Sequence, residues 1–298
     1  MIYDCIIIGG GIAGLQAAIQ LGRYNYKVIV IDSGDGRSTL CQSYHNILGY
    51  PDGISGLQLR EIGRKQAENL GIQFIIAKAE RAEKQKDIFY ISLHNGEVWK
   101  GKRLLLATGV MDRVPPFPNL YPCLGKSVYV CPDCDGFEVK GKKVVVIGSG
   151  DVGANMALTL KFWTDQIIYV NHEQKDITKE LLEKLKKKAI TYFNQHIEEI
   201  LADNEQIKGL ILQDSSFIET NHAFIALGGN EVKSSLASQL GVELLENKHL
   251  VTNPRTKMTS VENVWGAGDV AAHSEQVTIA MGEGSQAAIW IHKSLLDT

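Results

Sequence analysis

A chain of 298 residues, 44% hydrophobic and 22% charged, is long enough to bury a sizeable core and to divide into two domains. Its net charge of −3 leaves no electrostatic footprint for nucleic acid or an anionic membrane, so neither is an expected partner. Five cysteines, an odd number, do not form a secreted disulfide framework, and a reducing cytoplasm is the expected compartment.

The first apolar run, residues 2–8, reads as a buried parallel strand feeding a helix over 14–21. Residues 5–22 carry no charge. Yet Gly9, Gly10, Gly11 and Gly14 break the run and Asp4 precedes it, so no membrane span or leader is expected. A second strand over 27–31 ends at Asp32. After a turn at Pro51-Asp52-Gly53, helical spacing covers 57–70 and stops at Gly71. Residues 74–98 read as antiparallel strands, and 103–107 as a buried strand followed by Thr108-Gly109. Three of the seven prolines fall in Val114-Pro115-Pro116-Phe117-Pro118, which marks a linker. The pattern then restarts: strand 142–147, glycine turn 148–153, helix 154–162, strand 166–170. Asp176 is placed to cap a helix over 177–188. A strand over 223–226 leads into Leu227-Gly228-Gly229, matching the earlier Ala107-Thr108-Gly109. The final segment carries Gly266-Ala267-Gly268-Asp269 and a helix from Ser274 onward. The pattern predicts an α/β protein with two Rossmann-like, doubly wound, three-layer nucleotide-binding domains.

Gly9-Gly10-Gly11-Ile12-Ala13-Gly14 fits the G-x-G-x-x-G turn between strand and helix. Gly9 permits the tight turn, Gly11 lets backbone approach a pyrophosphate, and Gly14 allows close helix–strand packing. Asp32, at the next strand end, is placed to accept from ribose hydroxyls. Gly148-Ser149-Gly150-Asp151-Val152-Gly153 repeats the turn, with Gly148, Gly150 and Gly153 in the same roles. The following strand ends in Asn171-His172-Glu173. This offers neither an acid at the first position for a ribose diol nor an arginine for a 2′-phosphate. Glu173 reaches the diol only if the register slips, so a degenerate site kept for packing stands beside a working one.

Cys131-Pro132-Asp133-Cys134-Asp135 lies between the two turns. Zinc needs four ligands, only Cys123 is nearby in sequence, and no histidine falls at a ligand spacing, so no metal is expected. The redox reading needs a thiol of lowered pKa at a helix start. Pro132 suits a first helical position, which puts Cys131 at the cap. A carboxyl at Asp135 can act as general acid toward a departing thiolate. Cys5 and Cys123 read as structural, Cys41 has no assigned role, and Lys184 to Lys188 read as a solvated helix face.

Over essentially its full length the chain resembles the low-molecular-weight thioredoxin reductases. The resemblance rests on Gly9 to Gly14, Asn46-Ile47-Leu48-Gly49-Tyr50-Pro51, and Ala107-Thr108-Gly109. It rests also on Cys131-x-x-Cys134-Asp135-Gly136-Phe137, the second glycine turn, and Ala267-Gly268-Asp269-Val270. It implies FAD bound by residues 1–112 and 246–298, a central nucleotide-type domain over 113–245, and a homodimer. It further implies that Cys134 faces the flavin, Cys131 attacks the partner disulfide, and Asp135 is the proton donor. Asp269 falls where the FAD ribityl chain is held, and Gln276-Val277 where the flavin is contacted, with Glu275 in place of an arginine. The flavin loop Asp32-Ser33-Gly34-Asp35-Gly36-Arg37 departs from the usual Gly-Gly-Gln and, with Cys-Pro-x-Cys-Asp-Gly-Phe-Glu, also looks like bacterial relatives of the gliotoxin-type dithiol oxidases. The family's paired arginines for NADPH are absent at His172-Glu173.

The expectation is an FAD-dependent disulfide oxidoreductase that reduces a thioredoxin-like protein, with domain rotation alternating access to the cysteines. NADPH, NADH and ferredoxin all stay open as donor. The rivals are a small-molecule dithiol oxidase using oxygen and a flavin-binding redox sensor without turnover.

Overall fold

The computed structural model describes residues 1–296, which form two compact units. The first unit comprises Met1–Thr39, Gly56–Met111 and the chain from Glu231 onward; the second comprises Leu40–Ser55 and Asp112–Asn230.

The first unit opens with β1 (Ile2–Ile8), α1 (Ile12–Arg23) and β2 (Val28–Asp32), followed by α2 (Gly56–Glu68) and β3 (Gln73–Ile76). Next come β4 (Ala79–Gln85), β5 (Ile88–Leu93), β6 (Val98–Leu106) and β7 (Val110–Met111). The main sheet runs β3-β2-β1-β6-β5-β4, parallel through β6 and antiparallel beyond it. Side chains along β1 alternate between two cores. Cys5 and Ile7 pack with Ala17 and Ala18 of α1, whereas Ile6 and Ile8 pack with Phe89 and Ile91 of β5. This two-sided burial is why β1 is apolar on both faces.

The second unit contains β8 (Val128–Tyr129), α3 (Pro132–Asp135), β9 (Val144–Gly148), α4 (Gly150–Leu160) and β10 (Ile167–Asn171). It continues with α5 (Lys179–Lys187), β11 (Thr191–Phe193), β12 (Ile197–Asp203), β13 (Gln206–Leu212), β14 (Phe217–Glu219) and β15 (Ala223–Ala226). Its parallel sheet has the order β11-β10-β9-β15-β8, and β12-β13-β14 form a separate antiparallel sheet. The chain then returns to the first unit through β16 (Glu231–Val232), α6 (Ser235–Gln239), β17 (Val264–Gly266) and α7 (Val277–Leu296).

The units divide at other places than 112/113 and 245/246. Residues 231–245 pack in the first unit, because β16 pairs with β7 and Leu236 and Ala237 of α6 enter its core. Residues 40–55 pack in the second, where Leu40 joins the core and the Gln42 N–H donates to the Leu124 carbonyl at 2.9 Å. Asp297 and Thr298, the end of the expected 246–298 segment, lie outside the described residues. The helix expected from residue 177 begins at Lys179 with Thr178 as its cap; Asp176 does not cap it. Among the described residues no helix is long and apolar enough to cross a membrane.

Candidate active site and cofactor cradles

In the second unit Cys131 and Cys134 form a disulfide, and both are partly exposed. Cys131 is the N-cap of α3 and Pro132 its first residue, as a proline with fixed φ and no N–H allows. The Cys134 N–H donates to Cys131 Sγ at 3.2 Å. After reduction this donor favours a thiolate on Cys131 over one on Cys134. Asp135 closes the same turn. Burial, reinforced by the charge of Glu138, pushes its carboxyl up to about 7, so near neutrality it holds a proton it can give away. The free cysteines are poorer nucleophiles: Cys5 and Cys123 are buried, and burial pushes the Cys41 thiol up to about 12.

In the first unit the glycine turn is open. Gly11 is the N-cap of α1; no side chain caps it, and no acid lies in the first turn. A Cβ built on Gly11 meets nothing within 4 Å. The helix start therefore faces space into which its amides can donate, as an anion such as a pyrophosphate requires. Around this turn the structure gathers most of the residues anticipated from sequence. Asp32 lies against Gly10 and is paired with Arg60 of α2 at 2.6 Å. Gly268 lies against Ala13 on the other side, with Asp269 next to it. Arg37 Nη1 donates to Asp269 Oδ2 at 2.9 Å and pairs also with Glu275. Burial raises the Asp269 carboxyl, while Arg37 opposes the shift and Glu275 adds to it. The Thr108 hydroxyl donates to the Lys233 carbonyl at 2.6 Å, Gly109 has φ +70, and Gln276 precedes the first residue of α7, Val277. Asn46 is exposed and packs with the second unit. Two contributors had no sequence signal. Arg60 sits on a helix 28 residues from Asp32, and the buried Glu283 of α7 accepts from the Gly268 N–H at 3.0 Å while pairing with Lys257 and His273.

The second glycine turn, which from sequence is either a like cradle or a degenerate site kept for packing, is filled by its own chain. The Gly150 N–H, at the start of α4, donates to Asn171 Oδ1 at 2.9 Å. A Cβ on Gly150 would lie 2.9 Å from the Asp176 carbonyl oxygen and 3.2 Å from Lys175 Cβ. Asp151 adds an acid to the first turn, and its carboxylate accepts from the Thr178 N–H at 2.8 Å. Glu173 is paired with Arg113 and Lys175. His172 Nδ1 accepts from the Ile197 N–H at 2.9 Å, and burial lowers its pKa, so the ring is neutral near pH 7. At these positions a phosphate would meet a covered backbone, a neutral imidazole, and two cations, Arg113 and Lys175, that Glu173 already engages.

The chain belongs to the pyridine nucleotide-disulphide oxidoreductase family, whose profile spans residues 3–284, and within it to the low-molecular-weight thioredoxin reductase-like enzymes. It is 32% identical to the thioredoxin reductase of Aquifex aeolicus, over 99% of this chain and 94% of that one. Among solved structures, HlmI is 27% identical with a TM-score of 0.88, over 99% of this chain and 93% of HlmI. A putative thioredoxin reductase, TrxB from Bacillus anthracis, is 26% identical with a TM-score of 0.85 over 99% of each chain.

Proposed function

We propose that this enzyme is an FAD-dependent disulfide oxidoreductase that reduces a thioredoxin-like protein through Cys131 and Cys134, using an electron donor other than NADPH. The observation that carries the reading is the contrast between the two glycine turns. One leaves the helix start at Gly11 open; the other has its first helical amide bonded to Asn171 and Gly150 covered by Asp176.

In this reading Gly9 and Gly14 shape the turn and Gly11 opens it to the pyrophosphate. Asp32 takes a ribose, Asp269 the ribityl chain, and Arg37, Thr108, Gly109, Gly268, Gln276 and Val277 line the rest. FAD, once reduced by its donor, would supply the two electrons that open the Cys131–Cys134 disulfide. Cys131, favoured as thiolate by the Cys134 N–H, attacks the partner's disulfide and forms a mixed disulfide. Asp135 protonates the departing partner thiolate. Cys134 then attacks Cys131, releasing the second partner thiol and restoring the internal disulfide. Gly148, Gly150 and Gly153 serve packing. Family membership supports a homodimer, and the self-filled turn supports a non-nicotinamide donor such as ferredoxin.

The test is anaerobic reduction of the purified protein by NADPH, NADH and reduced ferredoxin, followed at the flavin band. Flavin should copurify, NADPH should reduce it slowly without saturating at micromolar levels, and NADH should be better yet weak. A protein that neither contains nor takes up flavin would sink the FAD reading. Rapid saturable bleaching by NADPH would refute the donor assignment. Fast oxygen consumption with a small dithiol would replace the reductase reading by a dithiol oxidase, and a flavin that no donor reduces would leave a sensor.

A further inference from the structure

We propose that Arg37 is a latch over the cofactor trough of the first unit, tying the segment after β2 to the segment before α7 so that a bound dinucleotide is retained. The inference rests on the FAD reading above and concerns retention of the cofactor rather than its chemistry.

Two segments flank the start of α1. On one side the chain after β2 is anchored beside Gly10 by Asp32, with Arg60 Nη2 holding Asp32 at 2.6 Å and Nη1 reaching Ser38 Oγ at 3.2 Å. Asp35 of the same segment is paired with Lys233 at 3.1 Å. On the other side Gly268 is seated on Ala13. Its N–H donates to Glu283 Oε2 at 3.0 Å, and Glu283 is itself held by Lys257 at 2.8 Å and His273 at 2.6 Å. Both banks are thus anchored separately. Arg37 spans them, since its guanidinium meets Asp269 and Glu275 on the far bank.

The three side chains are 23%, 19% and 29% exposed, so their charges are only partly screened by water. The two carboxylates converge on one cation. Without Arg37 they would face each other as like charges, with His249, 3.3 Å from Glu275, as a further neighbour. Removing the guanidinium therefore both breaks the bridge and repels the far bank from itself. A dinucleotide lying along the start of α1 between Asp32 and Asp269 enters and leaves through the gap that this bridge spans.

The measurement is FAD release from holoenzyme, read as the rise of flavin fluorescence after dilution far enough that rebinding is negligible. Uptake of FAD by apoprotein and apoprotein melting are read alongside. Arg37→Ala should release FAD at least about tenfold faster, the scale of one charge-assisted contact, and should also take it up faster. Arg37→Lys should fall between, because a single ammonium cannot hold both carboxylates as a fork does. Glu275→Gln, which keeps Arg37 and Asp269, should speed release by a few-fold and guards against an Arg37→Ala protein that does not fold. Combining Arg37→Glu with Glu275→Arg should recover part of the retention. A wild-type protein that takes up no FAD overturns the functional reading. A wild-type protein that binds FAD, with release unchanged in Arg37→Ala or Glu275→Gln, overturns the latch alone. A matching loss of apoprotein melting temperature, with uptake no faster, would show Arg37 to be structural and also overturn it.

Discussion

Asn171 Oδ1 accepts the backbone N–H of Gly150 at 2.9 Å, while Asn171 Nδ2 donates to the Lys175 carbonyl at 2.7 Å and to Asn194 Oδ1 at 2.9 Å. A strand-end acid would accept from ribose, but it has no donors for these two oxygens. The amide suits a position that closes on its own chain.

Asn171 is fully buried, and its loss strands the buried Gly150 N–H. Asn171→Ala should destabilise the protein by about 1–3 kcal/mol, the cost of leaving such a group unpaired. Asn171→Asp should also destabilise, and it should not create NADH affinity, because Asp176 still covers Gly150. Urea unfolding and nucleotide titration of the purified variants check both statements. Tight NADH binding by Asn171→Asp would show that one side chain, not the covering segment, closes the turn.

The two glycine turns should respond oppositely to an added side chain. Gly11 has φ −76 and open space at its Cβ, so Gly11→Val should leave the apoprotein's stability within about 0.5 kcal/mol of wild type while abolishing FAD retention. Gly150 has φ +52 and is crowded by the Asp176 carbonyl, so Gly150→Ala should cost about 1–3 kcal/mol with flavin content intact. Melting curves and flavin-to-protein absorbance ratios separate the outcomes. Full flavin occupancy in Gly11→Val would remove the cradle from the first unit.

Asp135 should impose an alkaline limb on disulfide exchange. Its carboxyl is raised from 3.8 to about 7, chiefly by burial. The proton it donates is therefore present below about pH 7 and lost above it. The same shift means that the folded state binds more protons than the unfolded one between about pH 4 and 7. Stability from this group therefore falls as pH rises through that window and then levels off. Asp135→Asn should slow reduction of an unactivated peptide disulfide by about a hundredfold and flatten the pH profile. Glu138→Gln should move the limb to lower pH, because the charge that adds to the shift is gone. An unchanged profile in Asp135→Asn would assign the proton to another group.

The two cysteines should be spectroscopically unequal. Cys131→Ser leaves Cys134, the thiol proposed to face the flavin, and should show a long-wavelength charge-transfer band; Cys134→Ser should not. Free Cys131 should also titrate below free Cys134, since the Cys134 N–H is aimed at Cys131 Sγ. Alkylation rates of the two serine variants against pH measure that order. Identical spectra and identical titrations would dissolve the assignment of roles.

The sequence by itself determined the strand–turn–helix units, the order of the motifs and the position of Cys131 at a cap. These depend on local matters: the period of apolar residues, glycine spacing, and the fixed φ of Pro132. The same spacing makes Gly9 to Gly14 and Gly148 to Gly153 look alike, and tertiary structure sets them apart. Whether a helix amide is free depends on what the chain does tens of residues away, at Asn171 and Asp176 for one turn and at neither for the other. Charges followed the same division. Asp32 and Asp135 were legible as acids. That Asp32 is held by Arg60, that Asp135 keeps a proton near neutral pH, and that Arg37 meets Glu275 across 238 residues came only with folding. Motif spacing states which backbone turn a segment makes. Burial and long-range pairing state which of its polar groups are left to meet a ligand.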